Sequence, residues 1–276
     1  MRYLAHTPED IARMLQAIGA PSVSALFDHI PEPLRARGAL DVGAALDEAT
    51  LLSHLAELAA LNRAALDTGT RSFLGAGLTP HNIPTAVDMQ ITRAEWYTSY
   101  TPYQPEISQG TLQAVFEYQT ITAELFGLPV ANASMYDGST ACAEAILMAR
   151  RIGGDEKSHA ILSAGLHPHY RDTADTYLAG LTPPGQKLLL DAKLDETTGR
   201  TDPAAVEAAL RAGEGRVSCV VIQTPNQFGV VEDLAPLAEI AHKAGALLVA
   251  VTTEPLAFGV LQPPGATGCD IACGEG

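Results

Sequence analysis

The stretch that decides the fold is Val217-Ser218-Cys219-Val220-Val221-Ile222. Its apolar residues are nearly continuous, as expected for a strand that is buried on both faces of a parallel sheet. A helical pattern follows over Asp233 to Ala244 and ends at Gly245, and Ala246 to Val251 is a second apolar strand. Strand, helix and strand form a βαβ unit, and such units build sheets with helices on both faces. The sequence therefore predicts a three-layer α/β domain with a mostly parallel sheet.

Helices and strands alternate on either side of this unit. A helix is predicted over Ser108 to Phe126, with Leu112, Val115 and Phe116 facing the core and with Gly127 as its end. The remaining predicted elements are a helix over Ala141 to Arg150, a strand over Ala160 to Ala164 and a buried strand over Asp270 to Cys273.

Residues 1–70 have a different pattern, which predicts a helical arm in front of a large α/β domain of residues 71–276. Thr7 can cap a helix whose first residue is Pro8, and Asp47 can cap a second helix. Each helix has its apolar residues on one face: Ile11, Met14, Leu15 and Ile18 in the first, and Leu51, Leu52, Leu55 and Leu58 in the second. Such a stripe must be covered by the large domain or by a second subunit.

The bulk composition excludes several classes of partner. A formal net charge of −15 argues against nucleic acid and against an anionic membrane surface. No apolar run is long enough to cross a bilayer, and Met1 to His6 lacks the apolar region of a secretion signal. We therefore expect a cytoplasmic protein.

The four cysteines are predicted to be buried thiols in a reducing compartment, since all of them lie in apolar segments. Cys269 and Cys273 lack a second pair or a nearby histidine, so no metal site is expected.

Asp137-Gly138-Ser139-Thr140 is a candidate anion site. It lies between the segment Val130 to Met135 and the helix predicted from Ala141, at a place where free N–H groups and two hydroxyls could bind a phosphate. The alternative is an ordinary helix cap. Gly75-Ala76-Gly77 lacks the third glycine of a dinucleotide motif, so NAD binding is poorly supported.

Tyr100-Thr101-Pro102-Tyr103-Gln104-Pro105-Glu106-Ile107-Ser108-Gln109-Gly110 places tyrosines, amides and a carboxylate between two prolines. Proline fixes its own φ and holds the preceding residue extended, so this segment is stiff. It is suited to presenting side chains to a ligand or partner. The alternative is a surface loop whose rings pack on the core.

The chain resembles the first (alpha) subunit of the P-protein, the decarboxylating glycine dehydrogenase of the glycine cleavage system. The resemblance covers essentially the whole chain and is densest in four motifs. The motifs are Phe73-Leu74-Gly75-Ala76-Gly77, the run Tyr100 to Gly110, Asn132-Ala133-Ser134-Met135-Tyr136-Asp137-Gly138 and Gln262-Pro263-Pro264-Gly265. The resemblance implies the fold of the fold-type I pyridoxal phosphate enzymes. Members of the family continue into a C-terminal α+β domain, so we expect this chain to be a fragment or a truncated version of a longer subunit.

The resemblance also assigns positions around the cofactor. Gly138, Ser139 and Thr140 stand where such enzymes bind its phosphate, and His167 stands where a ring stacks on its pyridine. Glu254 stands near the acid that contacts the pyridine nitrogen, although Thr252 or Thr253 are alternatives. No lysine follows Asp270 to Cys273, where the fold places the Schiff-base lysine, since the lysines are Lys157, Lys187, Lys193 and Lys243. These positions are therefore interpreted as relics, with no catalytic residue on this chain alone.

In the two-subunit form that it resembles, the second (beta) subunit holds pyridoxal phosphate, and the expected assembly is α2β2. Glycine is decarboxylated there, and its aminomethyl group passes to the lipoyl arm of H-protein. The present chain is expected to lend residues in trans to that site: Tyr100, Tyr103, Gln104, Glu106, Ser108 and His81. Two alternatives are an autonomous pyridoxal phosphate lyase or transferase whose lysine lies beyond residue 276, and a purely structural subunit.

Overall fold

The structure is a computed structural model that describes residues 5–35, 42–62, 73, 75, 77, 79–96, 101–182 and 187–275. The chain divides into two compact units, Met1–Ser72 and Phe73–Gly276.

The first unit contains helices α1 (Pro8–Ile18) and α2 (Glu48–Ala60), with 3-10 turns at Ser24–Phe27 and Glu32–Leu34. Thr7 and Asp10 form a reciprocal capping box on α1, and the Asp47 carboxylate accepts the Thr50 N–H at the start of α2. Both predicted helix starts are therefore confirmed. No described residue of either helix is buried, so what covers their apolar faces stays a prediction.

The second unit contains the sheet. Its helices are α3 (Thr85–Ile91), α4 (Gln109–Phe126), α5 (Gly138–Gly153), α6 (Pro168–Ala179), α7 (Pro203–Ala212) and α8 (Leu234–Lys243). Its strands are β1 (His159–Ser163), β2 (Leu189–Ala192), β3 (Val217–Gln223), β4 (Leu247–Thr252) and β5 (Ile271–Gly274), and 3-10 turns cover Ala94–Trp96, Pro255–Gly259 and Pro264–Thr267.

The five described strands form one sheet in the order β2-β1-β3-β4-β5, and every neighbouring pair is parallel. The central strand β3 is buried along its whole length, as its apolar run predicted. Side chains alternate between the two faces of a strand. Val220 and Ile222 accordingly belong to the core beneath α7 and α8, whereas Cys219 and Val221 belong to the core beneath α5 and α6. The predicted α/β three-layer fold is confirmed.

Two predictions about local structure were wrong. Helix α5 begins at Gly138 rather than at Ala141, because Asp137 caps it, and the segment 130–137 before it is irregular. Phe116 was expected in the core, but its side chain is 66% exposed. Only the last residue of α4, Phe126, is buried, and its ring packs edge-on against Phe258 with the centroids 5.2 Å apart.

The Gln262-Pro263-Pro264-Gly265 motif joins the end of α4 to the segment before β5. A Cβ atom on Gly265 would lie 2.0 Å from the carbonyl oxygen of Gly127, so the two backbones approach more closely than any side chain would permit. The motif therefore has a packing role in this fold.

Candidate functional site

The candidate site lies at the carboxyl edge of the sheet, where parallel strands present the residues that follow them. His167 follows β1, Gln223 ends β3, Glu254 follows β4 and Glu275 follows β5. The strand order reverses between β1 and β3, and ligands of open α/β sheets bind beside such a reversal.

A buried amide connects the loops at this reversal. Gln223 is 1% exposed, and its Oε1 accepts the backbone N–H of His167 at 2.8 Å. Its Nε2 donates to the carbonyl of Pro225 at 3.1 Å and to Oγ1 of Thr253 at 3.3 Å. One side chain thus fixes the loops that follow β1, β3 and β4.

His167 caps helix α6 and lies against the chain itself. Its Nδ1 accepts the backbone N–H of His169 at 3.2 Å, and its ring meets the rings of His169 and Tyr170 edge-on. A Cβ atom on Gly77 would lie 2.6 Å from Cδ2 of His167. The imidazole predicted to stack on a cofactor is therefore contacted by the backbone of the glycine motif.

Glu254 is engaged by the segment 79–81. Its Oε2 accepts the Thr79 hydroxyl at 2.7 Å and forms an ion pair with Nε2 of His81 at 3.1 Å. The structure thereby brings together two residues, His81 and Glu254, that were predicted to act separately. Thr252 is buried and donates to the carbonyl of Thr224 at 2.9 Å.

The amino end of α5 holds two carboxylates. Asp137 accepts the Thr140 N–H at 2.8 Å and the Ser139 hydroxyl at 2.7 Å. Both contacts lower the pKa of Asp137, with that from the Ser139 hydroxyl the larger. The Gly138 N–H donates to Oε1 of Glu275 at 3.0 Å. The donors that were expected to face an anion are thus satisfied within the chain.

Glu275 is a site residue that the sequence did not reveal, and Tyr170 is its second partner. The Tyr170 hydroxyl donates to the same Oε1 atom at 2.7 Å. Burial, followed by this hydrogen bond, raises the pKa of Tyr170, so the phenol keeps its proton and remains a donor. One available signal was that Glu275 follows β5 as Glu254 follows the adjacent strand β4.

The segment 101–108 is a compact turn on the surface. The N–H groups of Ile107 and Ser108 donate to the carbonyl of Gln104 at 3.2 and 3.1 Å. Tyr103 is 79% exposed, so its ring does not pack on the core. Within the described part of the chain, the side chains of Tyr103, Gln104 and Glu106 make no hydrogen bond. Tyr100 lies outside the described residues.

Among the described residues, no hydrogen bond or ion pair joins residues 101–108 to His81, Glu254 or Glu275. Ser108 immediately precedes α4 but does not cap it with its side chain.

A cavity of about 900 Å³ reaches the amino end of α5. It runs between the end of α4, the irregular segment 128–137, helix α5 and strand β5, and Gly138 and Glu275 both line it. A small ligand therefore has space to approach this helix end.

Residues 1–276 match the family described as the glycine cleavage system P-protein. The chain belongs to this family. The probable glycine dehydrogenase (decarboxylating) subunit 1 of Sorangium cellulosum is 50% identical over 276 residues, which are 100% of this chain and 59% of that protein. The chain thus spans less than two thirds of the length of the P-protein relatives that it matches.

Solved structures agree with this assignment. A crystal structure of inhibitor-bound glycine decarboxylase (P-protein) matches with a TM-score of 0.76 and 46% identity, over 100% of this chain and 58% of that one. The sphingosine-1-phosphate lyase of Burkholderia pseudomallei matches with a TM-score of 0.52 and 16% identity, over 79% of this chain and 49% of that one. The second likeness shows the shared fold alone.

The residues of this P-protein chain do not fit a bound pyridoxal phosphate. Within residues 1–276 no lysine lies in β5 or directly after it, where Glu275 stands. Lys187 pairs with Asp191 at 3.0 Å, and Lys243 lies at the end of α8. The Gly138 N–H, which a phosphate would need, is already taken by Glu275.

Other ligand classes receive no support from the described residues. Across these parts of the chain, no group of three or more His, Cys, Asp or Glu side chains is arranged to bind a metal ion. None of the helices that are described has the length and apolar character to span a bilayer. All four cysteines are free thiols.

Proposed function

We propose that this chain serves as the alpha subunit of glycine decarboxylase, the P-protein of the glycine cleavage system. The observation that carries the proposal is the carboxylate of Glu275, which occupies the amino end of α5, where the phosphate of a cofactor would otherwise bind. In this proposal, a subunit whose phosphate position is occupied by its own carboxylate works with another chain that holds the cofactor. We assign pyridoxal phosphate to a second, beta subunit in an α2β2 assembly.

In this assembly glycine is the substrate, and the aminomethyl group that remains after decarboxylation passes to the lipoyl arm of H-protein. The cofactor supplies the electron sink for decarboxylation on the beta subunit. The present chain contributes polar side chains in trans, and it acts in the cytoplasm.

The segment 101–108 supports this role through its exposure. Tyr103 offers a hydroxyl, Gln104 an amide and Glu106 a carboxylate, and each of these side chains is exposed on a turn that its own backbone bonds hold. Hydroxyl and amide groups are suited to hydrogen bonds with a phosphate or with the carboxylate of glycine. We propose the same contribution for Tyr100 and Ser108.

His81 is the imidazole of the proposed set. Its ion pair with Glu254 fixes one ring nitrogen, and the Thr79 hydroxyl also bonds Glu254. A carboxylate on one nitrogen orients an imidazole. Glu254 is therefore proposed to position His81, while Gly138, Ser139, Thr140 and His167 maintain the local fold.

The first test is an absorption spectrum of the isolated full-length subunit after addition of pyridoxal phosphate and removal of unbound cofactor. We expect a colourless protein. A retained absorption band that borohydride fixes to a lysine would overturn the proposal and indicate an autonomous enzyme.

The second test separates an active contribution from a structural one. In the reconstituted complex, Tyr103→Phe is expected to lower kcat/KM for glycine about tenfold or more, since a hydrogen bond to a charged group contributes about 1.5–3 kcal/mol. Tyr177→Phe, on the surface of α6, is the matched control and should leave the rate unchanged. Wild-type kinetics in Tyr103→Phe, Gln104→Ala and Glu106→Gln alike would indicate a purely structural subunit.

A further inference from the structure

At the amino end of α5, Glu275 makes the contacts that an anionic ligand would make there. Its Oε1 atom accepts the Gly138 N–H at 3.0 Å and the Tyr170 hydroxyl at 2.7 Å. Its own N–H donates to the carbonyl of Thr252 at 3.1 Å, which continues the pairing of β5 with β4. Hydrogen bonds therefore fix both the backbone and the side chain of Glu275.

Glycine at position 138 leaves room for both side-chain ends at the helix backbone. A Cβ atom there would lie 2.1 Å from the Tyr170 hydroxyl and 2.5 Å from Oε1 of Glu275. Gly138 and Tyr170 are both buried. The pocket for one carboxylate oxygen is thus formed by a bare backbone N–H on one side and a buried phenol on the other.

The two carboxylates at this helix end use different donors. Asp137 accepts the Thr140 N–H, whereas Glu275 accepts the Gly138 N–H and the Tyr170 hydroxyl. Removal of Glu275 would therefore free these two donors while Asp137 remains in place. A phosphate could bind there only after displacing Glu275.

We propose that Glu275 is a built-in substitute for an anionic ligand, which keeps phosphate monoesters out of this subunit. The nearby cavity makes the helix end reachable, so exclusion depends on the carboxylate itself. The inference deepens the proposed function and rests on it for one point, that the cofactor belongs to another chain. The class of ligand excluded is a phosphate or a phosphorylated cofactor.

Equilibrium dialysis of the full-length subunit against radiolabelled inorganic phosphate tests the proposal. Wild type should show no saturable binding, whereas Glu275→Ala should bind one phosphate per subunit, with an affinity raised about tenfold or more. Adding Gly138→Ala to Glu275→Ala should abolish this binding, because the new Cβ closes the pocket. Glu196→Ala removes an exposed carboxylate elsewhere and should behave as wild type.

Two results would overturn the proposal: equal phosphate binding by wild type and Glu275→Ala, or no binding by a Glu275→Ala subunit with a native circular dichroism spectrum. If Glu275→Ala does not fold, Glu275→Ser replaces it, since its short side chain cannot occupy the pocket of the carboxylate, and the same two results decide. Failure here is distinguishable from failure of the proposed function. The latter would appear as covalently bound cofactor in the wild-type subunit.

Discussion

Buried polar side chains in the α/β unit are held by specific donors, and Glu232 is the most demanding of them. It is 7% exposed and accepts the Thr201 N–H at 2.8 Å, the Thr201 hydroxyl at 3.1 Å and the Asn226 amide at 3.0 Å. None of these donors carries a formal charge. A buried carboxylate of this kind is tolerated only while all its donors remain in place.

Glu232→Ala should lower the free energy of unfolding by about 3 kcal/mol, because buried donors would lose their acceptor. Urea denaturation measures the change. Glu239→Ala, which removes an exposed carboxylate from α8, should shift the free energy by less than about 0.5 kcal/mol. Equal effects in the two variants would show that the Glu232 network contributes nothing.

His159 makes stability depend on pH. Burial, followed by the charges of Arg216 and Arg150, lowers its pKa from the ordinary value of 6.5, while Glu214 acts in the opposite direction. Above pH 6.5 neither the folded nor the unfolded state carries the proton. As the pH falls below 6.5 the unfolded chain binds a proton first, so stability decreases until the lower folded pKa is passed.

His159→Gln should therefore reduce the loss of stability between neutral pH and about pH 5, where an ordinary histidine titrates. Urea midpoints at several pH values provide the measurement. His6→Gln, at an exposed histidine, should leave the pH dependence intact. An unchanged slope in His159→Gln would mean that other groups cause it.

At the scale of elements, the central strands could be predicted because their apolar runs are uninterrupted and end at turn residues. Strand β2 has four residues, one of which is Asp191, and its pattern is too short to recognise. Helices α6 and α7 were not predicted, although each carries proline at its first position. Phe116 shows the converse limit: periodicity identifies an apolar face but not what covers it.

Gly265→Ala should destabilise the second unit by about 2–3 kcal/mol, since its Cβ would overlap the Gly127 carbonyl oxygen and force the end of α4 away. Thermal or urea unfolding of the full-length subunit measures this. Gly259→Ala is the matched control, because no atom lies within 4 Å of its added Cβ. A Gly265→Ala protein as stable as the control would contradict the packing role of the motif.

At the scale of the whole molecule, the sequence could place several site residues at one edge, because parallel strands end together. It could not show that Glu275 returns to Gly138 across 137 residues, since such a contact depends on which strands are neighbours. Nor could it pair His81 with Glu254, because that ion pair depends on the path of an irregular segment. Chain order predicted which residues lie at the carboxyl edge of the sheet, whereas the bonds between them required three-dimensional coordinates.

If the active site is shared between two subunits, as proposed, activity depends on the molar ratio of the two subunits. The full-length subunit alone should not catalyse exchange between glycine carboxyl and bicarbonate, because Glu275 occupies the Gly138 N–H that a cofactor phosphate would need. Titrating it into a fixed amount of the partner subunit should raise activity linearly up to equimolar amounts and no further. Activity without the partner would contradict the division.

The carboxylate at the amino end of α5 also bears on how such an assembly is made in the cell. A helix end whose N–H group is bonded to a carboxylate of the same chain needs no anion from solution in order to fold. On the proposed assignment of the cofactor to the partner, this subunit would accumulate fully folded during vitamin B6 starvation. Only its partner would then have to wait for the vitamin.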